Sequence, residues 1–146
     1  MTEETDAYWD RWMKQLRDPE AKPFYMTLEN QKNSNERCCL GHACHALIPE
    51  KREGPTSEDP HVKYDGSSVF MPDSVARMLN TTNGVSFYRK VRSRGVDADC
   101  AQKLNDSKRF SLPEIAYILE RERKAGNIRS FKDSDWRARG LWMQDK

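Results

Sequence analysis

Three side chains that can bind a soft metal stand close together in residues 37–48. If this stretch is helical, with about 100° of rotation per residue, Cys38, His42 and His45 project from one face, opposite the apolar face. Thiolate and imidazole ligands suit zinc, and Cys100 or His61 would have to complete the site. The spacing matches no familiar zinc motif. The competing interpretation is that these thiols are small core residues.

Cys38 and His42 could also act together as a nucleophile and its base. That chemistry needs an orienting carboxylate and an oxyanion hole, and the neighbouring sequence offers neither. We therefore expect no catalytic residue and no cofactor in this cluster, with zinc as the alternative.

Aromatic rings and cations are mixed in a second stretch. Such a segment can hold phosphate groups while a ring stacks on a base. The competing interpretation is a solvated strand face on which long cationic stems cover apolar surface. The ligand-binding candidates here are Phe87, Tyr88, Arg89, Lys90, Arg92 and Arg94.

Asn105 and Asp106 precede a well-marked helix start. An exposed amide and carboxylate could read a base edge or a ribose hydroxyl, so both are ligand-binding candidates. The simpler interpretation is a turn in which the two side chains bond to nearby backbone.

The end of the chain is unusually apolar. Aromatic residues flanked by arginine are typical of interface hot spots. The partner-binding candidates are Trp136, Arg137, Arg139 and Trp142. Packing of residues 130–146 against the protein's own core is the alternative.

Composition limits the classes of protein that fit. The chain has 146 residues, a size typical of one domain, and its 25 basic and 23 acidic residues give a net charge of +2. No global field of one sign would therefore drive it onto nucleic acid or anionic lipid. No apolar run is long enough to cross a bilayer and the N-terminus is acidic, so we expect a cytoplasmic protein.

Hydrophobic spacing predicts three helices. Trp9, Trp12, Met13 and Leu16 follow helical spacing, and Asp18-Pro19 ends that helix. Residues 37–48 and 72–80 form two shorter helices on the same grounds. Residues 19–35 between them read as a short extended piece followed by an exposed loop.

The rest of the chain predicts a hairpin and two further helices. Residues 61–70 surround an Asp-Gly turn, which indicates a small hairpin, and residues 85–94 fit a strand or a helix. Residues 96–106 read as helical. Ser111 to Glu114 is a capping-box pattern that begins the clearest helix, ending near Gly126.

The predicted architecture is α+β, with several short helices around one core and a small antiparallel β-hairpin. We expect a single domain over residues 1–146, with an exposed loop at 49–60 and an apolar tail at 130–146.

The string CCLGHAC at residues 38–44 resembles the CCLG-x-x-C signature of a widespread group of small tailed-bacteriophage proteins of unassigned activity. The group is similar in having an early Trp helix, a Pro-led segment, and a late Leu-Asn-Asp followed by Phe and an Ile-Ala helix. Here the Pro-led segment is residues 71–75, the Leu-Asn-Asp is residues 104–106, the Phe is residue 110 and the Ile-Ala helix contains residues 114–116. The likeness spans roughly residues 9–120 and implies a phage origin, without a catalytic residue to carry over. His42 and His45 depart from the group's pattern.

We therefore expect a non-enzymatic phage accessory or counter-defence protein that inhibits a host bacterial protein or sequesters a nucleotide signal. Sequestration would use residues 87–94, and inhibition would use the apolar tail. The alternatives are a nucleic-acid-binding regulator and a small zinc-binding protein or hydrolase. We expect no membrane partner, and the sequence leaves open whether the protein forms a homo-oligomer.

Overall fold

The structure, a computed structural model, describes residues 2–132. Its helices are α1 Glu3–Arg17, α2 Cys39–Leu47, α3 Asp73–Leu79, α4 Ala101–Asp106 and α5 Leu112–Lys124. Its strands are β1 Lys22–Pro23, β2 Glu29–Asn30, β3 Asn33–Arg37, β4 Arg52–Glu53, β5 Lys63–Tyr64, β6 Ser86–Ser93 and β7 Val96–Cys100. None of the helices in this described part is long and apolar enough to cross a membrane.

The α+β prediction is confirmed, because helices surround three small sheets. Strand β3 lies between β1, to which it is parallel, and β2, to which it is antiparallel. Strands β4 and β5 form an antiparallel pair, and β6 and β7 form the longest hairpin. The turn of that hairpin is Arg94-Gly95, and both residues have a positive φ.

The α1 helix organises the core through its two tryptophans, as its sequence pattern predicts. The Trp12 indole is fully buried and donates to the backbone oxygen of Cys39 at 2.9 Å. The Trp9 indole donates to the backbone oxygen of Leu79 at 2.8 Å. The two rings lie 5.2 Å apart. These two bonds tie α1 to α2 and α3 and give both of these buried indole N–H groups an acceptor.

The second helix passes very close to another part of the backbone. A Cβ on Gly41 would lie 1.8 Å from the backbone oxygen of Leu28. Only glycine leaves room for that approach. The glycine of the CCLG string therefore lets α2 sit directly against the segment that leads into β2.

Two stretches differ from their sequence prediction, and a third, which the sequence left open, is now assigned. Residues 19–35 supply β1, β2 and the start of β3 instead of one extended piece and a loop. Residues 96–106 begin as strand β7 before turning into α4, and the undecided stretch 85–94 is mostly strand. Helical spacing misled in 96–100 because a buried hairpin strand with Ala98 on its inner side also brings an apolar residue into the core.

The sequence predicted the wrong strand pairing for the hairpin at residues 61–70. The Asp65-Gly66 turn forms, with a bridge between Tyr64 and Ser67. However, Tyr64 pairs mainly with Arg52, so the predicted loop 49–60 contributes a 3-10 turn and strand β4. Residues 54–60 remain without regular structure and are mostly exposed.

The capped helix α5 matches its sequence pattern. The Ser111 hydroxyl accepts from the Glu114 N–H at 3.2 Å, and the Glu114 carboxylate accepts from the Ser111 N–H at 2.8 Å. Such a reciprocal pair satisfies two of the free donors at a helix start. The helix ends at Lys124, followed by Gly126 with a φ of +73°.

Candidate functional site

Two members of the Cys/His cluster, Cys38 and His42, lie inside the protein, while His45 is half-buried. The face of α2 that carries the cluster was expected opposite the apolar side, but α1 and the start of β1 cover it. Cys38 is the N-cap of α2, where its sulfur accepts from the Gly41 N–H at 3.3 Å, and burial raises the pKa of its thiol to about 12. Cys39 and Cys44 are also buried, and burial raises the pKa of each thiol well above the usual value.

His42 has a protein partner on each ring nitrogen. Its Nε2 lies 2.9 Å from the backbone oxygen of Lys22, and its Nδ1 lies 3.0 Å from Nε2 of Gln15. A carbonyl can only accept, so Nε2 carries the proton and Nδ1 accepts from the amide. Burial lowers the pKa of His42 to about 4. Within residues 2–132, no group of three or more His, Cys, Asp or Glu side chains is arranged to hold a metal ion.

The basic-aromatic segment is only partly available to a ligand. Phe87 belongs to the core and is 3% exposed, so the expectation that it stacks on a ligand is wrong. Arg92 pairs with Asp97 at 3.2 Å, and Arg94 pairs with Glu114. Tyr88, Arg89 and Lys90 are the remaining candidates, and all three are exposed.

These three residues form an outward bulge on β6. Ser86 pairs with Cys100 and Val91 pairs with Ala98, so four residues of β6 face a single residue of β7. Asn127, which follows α5, binds the backbone polar groups of the bulge in place of β7. We call Tyr88, Arg89 and Lys90, together with Asn127 and Arg129, the Tyr88 bulge.

Asn105 and Asp106 hold the fold together and do not form an exposed site. Asn105 is 1% exposed; its Oδ1 accepts from the Cys39 N–H at 2.9 Å and its Nδ2 donates to the backbone oxygen of Phe24 at 2.8 Å. Asp106 accepts from the Met26 N–H at 3.0 Å. Met26 has a φ of +77°, a region that favours glycine, so this bond helps to hold a strained residue.

The partner-binding candidates Trp136, Arg137, Arg139 and Trp142 lie outside the residues that the structure describes. Their packing on the core or on a partner therefore stays a prediction.

Sequence reasoning missed a cleft of about 400 Å³ beside β2. Its volume falls in the range of small-molecule sites. Two half-buried rings form one wall, and the residues after the exposed loop 54–60 form another. Its main lining residues are Phe24, Tyr25, Asn30, Lys32, His61 and Val62. We call this the aromatic cleft. Its parts come from two segments, residues 24–32 and 61–62, that are 29 residues apart, so local spacing carries no signal for it.

A buried ionic network supports the cleft at Glu29. The carboxylate of Glu29 accepts from Nε of Arg37 at 2.9 Å, Nε of Arg52 at 2.7 Å and the Tyr64 hydroxyl at 2.6 Å. Burial alone would raise the pKa of Glu29, but these three hydrogen bonds lower it below its usual value. Two guanidiniums surround one carboxylate, so the network contributes one net positive charge.

One further cation lines the cleft, and another lies over one of its rings. The Lys108 ammonium lies over the Tyr25 ring, 5.0 Å from its centre. Lys32 is exposed on the rim and makes no ion pair within residues 2–132. His61 is exposed, and its Nδ1 lies 3.1 Å from the carboxylate of Asp59. The cleft therefore combines an aromatic wall with Lys32 and with the net positive charge of the Glu29 network.

A second cavity, of about 380 Å³, lies between α1 and α5. Asp6, Asp10 and Glu120 line it together with Arg123 and Lys124, and an ion pair joins Asp6 to Arg123 at 2.5 Å. Its lining has one more acid than bases, so it is less suited to an anion than the aromatic cleft is.

Comparisons of this chain with protein-family models, with curated proteins and with solved structures gave no match.

Proposed function

We propose that this protein binds a nucleotide-type ligand in the aromatic cleft and acts by sequestering it, without changing it chemically. The observation that carries the proposal is the meeting of two aromatic rings, the Glu29 network with its net positive charge, and Lys32 in one preformed concave site. Nucleotides have both complementary parts, because a base stacks on rings and a phosphate pairs with cations.

The ring wall is positioned before any ligand arrives. The Phe24 N–H donates to the backbone oxygen of Arg37 at 2.9 Å, and the Phe24 oxygen accepts from Asn105. Lys108 lies over Tyr25 and Asp106 binds the next residue, Met26. A site that is already ordered loses less conformational entropy on binding, which favours tight capture.

The electrostatics favour an anion over a neutral base. Glu29 lines the cleft within a network of one net positive charge, Lys32 lines it as well, and Lys108 lies over the ring of Tyr25. Charges in and near a cleft focus their field on it and raise the local concentration of anions.

The chemistry of nearby groups supports binding over catalysis. Glu29 is ionised, with its carboxylate held by three donors, so it is a poor general acid or base. The buried thiols of α2 have raised pKa values and are protonated at neutral pH, which makes them poor nucleophiles.

The resemblance of residues 38–44 and later segments to phage proteins suggests where capture would matter. A phage accessory or counter-defence protein that removes a nucleotide signal would act inside the host bacterium. Sequestration needs only a tight site and enough protein, so it fits a small binding domain.

Native mass spectrometry of protein purified from bacterial cells tests the proposal first. We expect a mass excess of nucleotide size under native conditions that disappears under denaturing conditions. Calorimetric titration with adenosine and guanosine mono-, di- and triphosphates and cyclic nucleotides then identifies the class. A bare mass together with no saturable heat for any of these probes would contradict the proposal.

Variants locate the site. Tyr25→Ala should weaken binding about tenfold through lost stacking. Lys32→Ala combined with Lys108→Ala should weaken it further and reduce its salt dependence. Tyr117→Ala is the matched control, because Tyr117 is an exposed tyrosine on α5 that does not line the cleft. Equal affinities for the Tyr25 and Tyr117 variants would rule out the aromatic cleft as the site.

A further inference from the structure

We infer that the ligand of the aromatic cleft is a ribonucleotide, whose 2′-hydroxyl donates a hydrogen bond to Nε2 of His61. This inference rests on the proposed function, because it names the class of nucleotide that the same cleft takes. Three observations carry it: the tautomer that Asp59 imposes on His61, the fixed position of the ring, and its place in the second wall of the cleft.

Asp59 determines which nitrogen of His61 carries the proton. Nδ1 of His61 lies 3.1 Å from Oδ1 of Asp59, while Nζ of Lys63 lies 2.7 Å from Oδ2 of the same carboxylate. The bond from Lys63 lowers the pKa of Asp59 well below its usual value, so the carboxylate is ionised at neutral pH and can only accept. The neutral imidazole therefore holds its proton on Nδ1, and Nε2 is left as an acceptor.

The loop that precedes His61 fixes the position of its ring. The His61 N–H also donates to Oδ1 of Asp59, at 3.0 Å, and the Asp59 N–H donates to the Thr56 hydroxyl at 2.9 Å. The loop passes so close to His61 that a Cβ on Gly54 would lie 2.8 Å from the His61 backbone oxygen. The next residue, Val62, is buried and anchors the chain in the core. An acceptor that is already in place loses little entropy when a ligand donates to it.

The unbonded edge of the ring is the one that the cleft offers to a ligand. His61 lines the cleft, whereas Asp59 and Lys63 do not. The two nitrogens of an imidazole point to nearly opposite sides of the ring, so Nδ1 faces the loop and Nε2 faces away from it. Within residues 2–132 no side chain or backbone group bonds to Nε2. A ligand group that bonds to this nitrogen must therefore be a hydrogen-bond donor.

The sugar is the part of a nucleotide that faces His61. The base stacks on the wall formed by Phe24 and Tyr25, and the phosphate lies towards Lys32, in the turn between β2 and β3. The sugar joins these two groups and so faces the second wall, to which His61 belongs. A ribose 2′-hydroxyl can donate to Nε2, whereas a deoxyribose lacks that donor. A deoxyribonucleotide makes one hydrogen bond fewer and should bind more weakly.

Calorimetric titration of the full chain with matched sugars tests the inference. The probes are the 5′-monophosphates and 5′-triphosphates of adenosine, guanosine and inosine, each compared with its 2′-deoxy form. We expect each ribonucleotide that binds to do so about fivefold more tightly than its deoxy form, which is the effect of one neutral hydrogen bond. Inosine has no exocyclic amine, so the same preference in the inosine pair would exclude a base amine as the donor to Nε2.

Variants of His61 assign the preference to this ring. His61→Phe keeps a ring but removes the acceptor, so its affinity for ribonucleotides should fall about fivefold and its affinity for the deoxy forms should not change. His61→Gln should retain the preference, because its amide oxygen can accept. Tyr117→Ala is the matched control and should keep the full preference, since Tyr117 is exposed on α5 and does not line the cleft.

The outcomes separate this inference from the proposed function. Equal affinity of the wild type for ribose and deoxyribose forms would overturn the inference and leave nucleotide capture in place. An equal loss of affinity for both forms in His61→Phe would also overturn it, because that result would mean that His61 binds the phosphate. No saturable heat with any nucleotide would contradict the proposed function, and the inference would fall with it.

Discussion

His42 should make the stability of this protein depend on pH in a defined window. An unfolded histidine has a pKa of about 6.5, whereas burial lowers the pKa of His42 to about 4 in the folded protein. Between these values the unfolded chain binds a proton that the folded chain does not, so stability falls as pH falls. From pH 7 to pH 5 the loss attributable to His42 is about 2 kcal/mol.

The cause is structural and can be tested separately. Protonation would place a second N–H on the ring, facing the amide of Gln15, while the ring stays buried against the Lys22 oxygen. Accommodating it requires the Gln15 amide to turn, and the charge would still lie in a poorly solvated site.

Urea unfolding followed by tryptophan fluorescence at pH 7, 6 and 5 measures the effect. Between pH 7 and pH 5 the unfolding free energy of His42→Gln should fall by about 2 kcal/mol less than that of the wild type. Replacement of the exposed His61 in His61→Gln should leave the wild-type fall unchanged. An NMR titration of the wild-type His42 ring gives its pKa directly, even if His42→Gln folds poorly. Equal wild-type stability at pH 7 and pH 5, or an unchanged slope in His42→Gln, would refute the reasoning.

Three further changes test other parts of the structure. Gly41→Ala should lower the free energy of unfolding in urea by about 3 kcal/mol, because the added Cβ has no room. In Gly84→Ala the added Cβ would lie 3.4 Å from its nearest neighbour, so the loss should be far smaller. Similar losses in the two variants would contradict the close approach of α2. Glu29→Gln should cost about 3 kcal/mol by leaving the buried guanidinium of Arg37 and the partly exposed one of Arg52 without their carboxylate, and Glu120→Gln, in an exposed pair, at most about 1 kcal/mol. A thiol reagent should modify Cys100 first in the native protein, and mass spectrometry should find the other three cysteines modified only after unfolding.

The helices with complete local signals could be predicted from the sequence. The tryptophan stripe and the terminal Asp-Pro define α1, and the reciprocal Ser111–Glu114 pattern defines α5. In both, the residues that start, bury and end the helix lie within the helix or beside it. Local rules suffice where the partners are local.

The second helix shows where such rules fail. Its polar face would meet water in an isolated helix, and only the packing of α1 and β1 against it buries His42. The same holds for Asn105, whose partners Cys39 and Phe24 are 66 and 81 residues away. A side chain's role is invisible to spacing when its partners lie in distant segments.

Both candidate sites were partly or wholly missed for this reason. The sequence drew attention to Tyr88, but Asn127 and Arg129, which shape the bulge, follow 39 and 41 residues later. The aromatic cleft joins residues near 25 to residues near 61 and to Lys108. Which cations stay unpaired depends on those long-range contacts, so counting charges overestimated the patch at 87–94.

The bonds of Asn105 also constrain how the chain is made. Asn105 is the only described side chain that bonds both the first turn of α2 and the segment before β2, and it emerges from the ribosome after more than two thirds of the protein. Contacts of such wide sequence separation close large loops, which slows folding. The N-terminal segments should therefore reach their final arrangement only late in synthesis, and a fragment ending before residue 105 should not retain the wall formed by Phe24 and Tyr25.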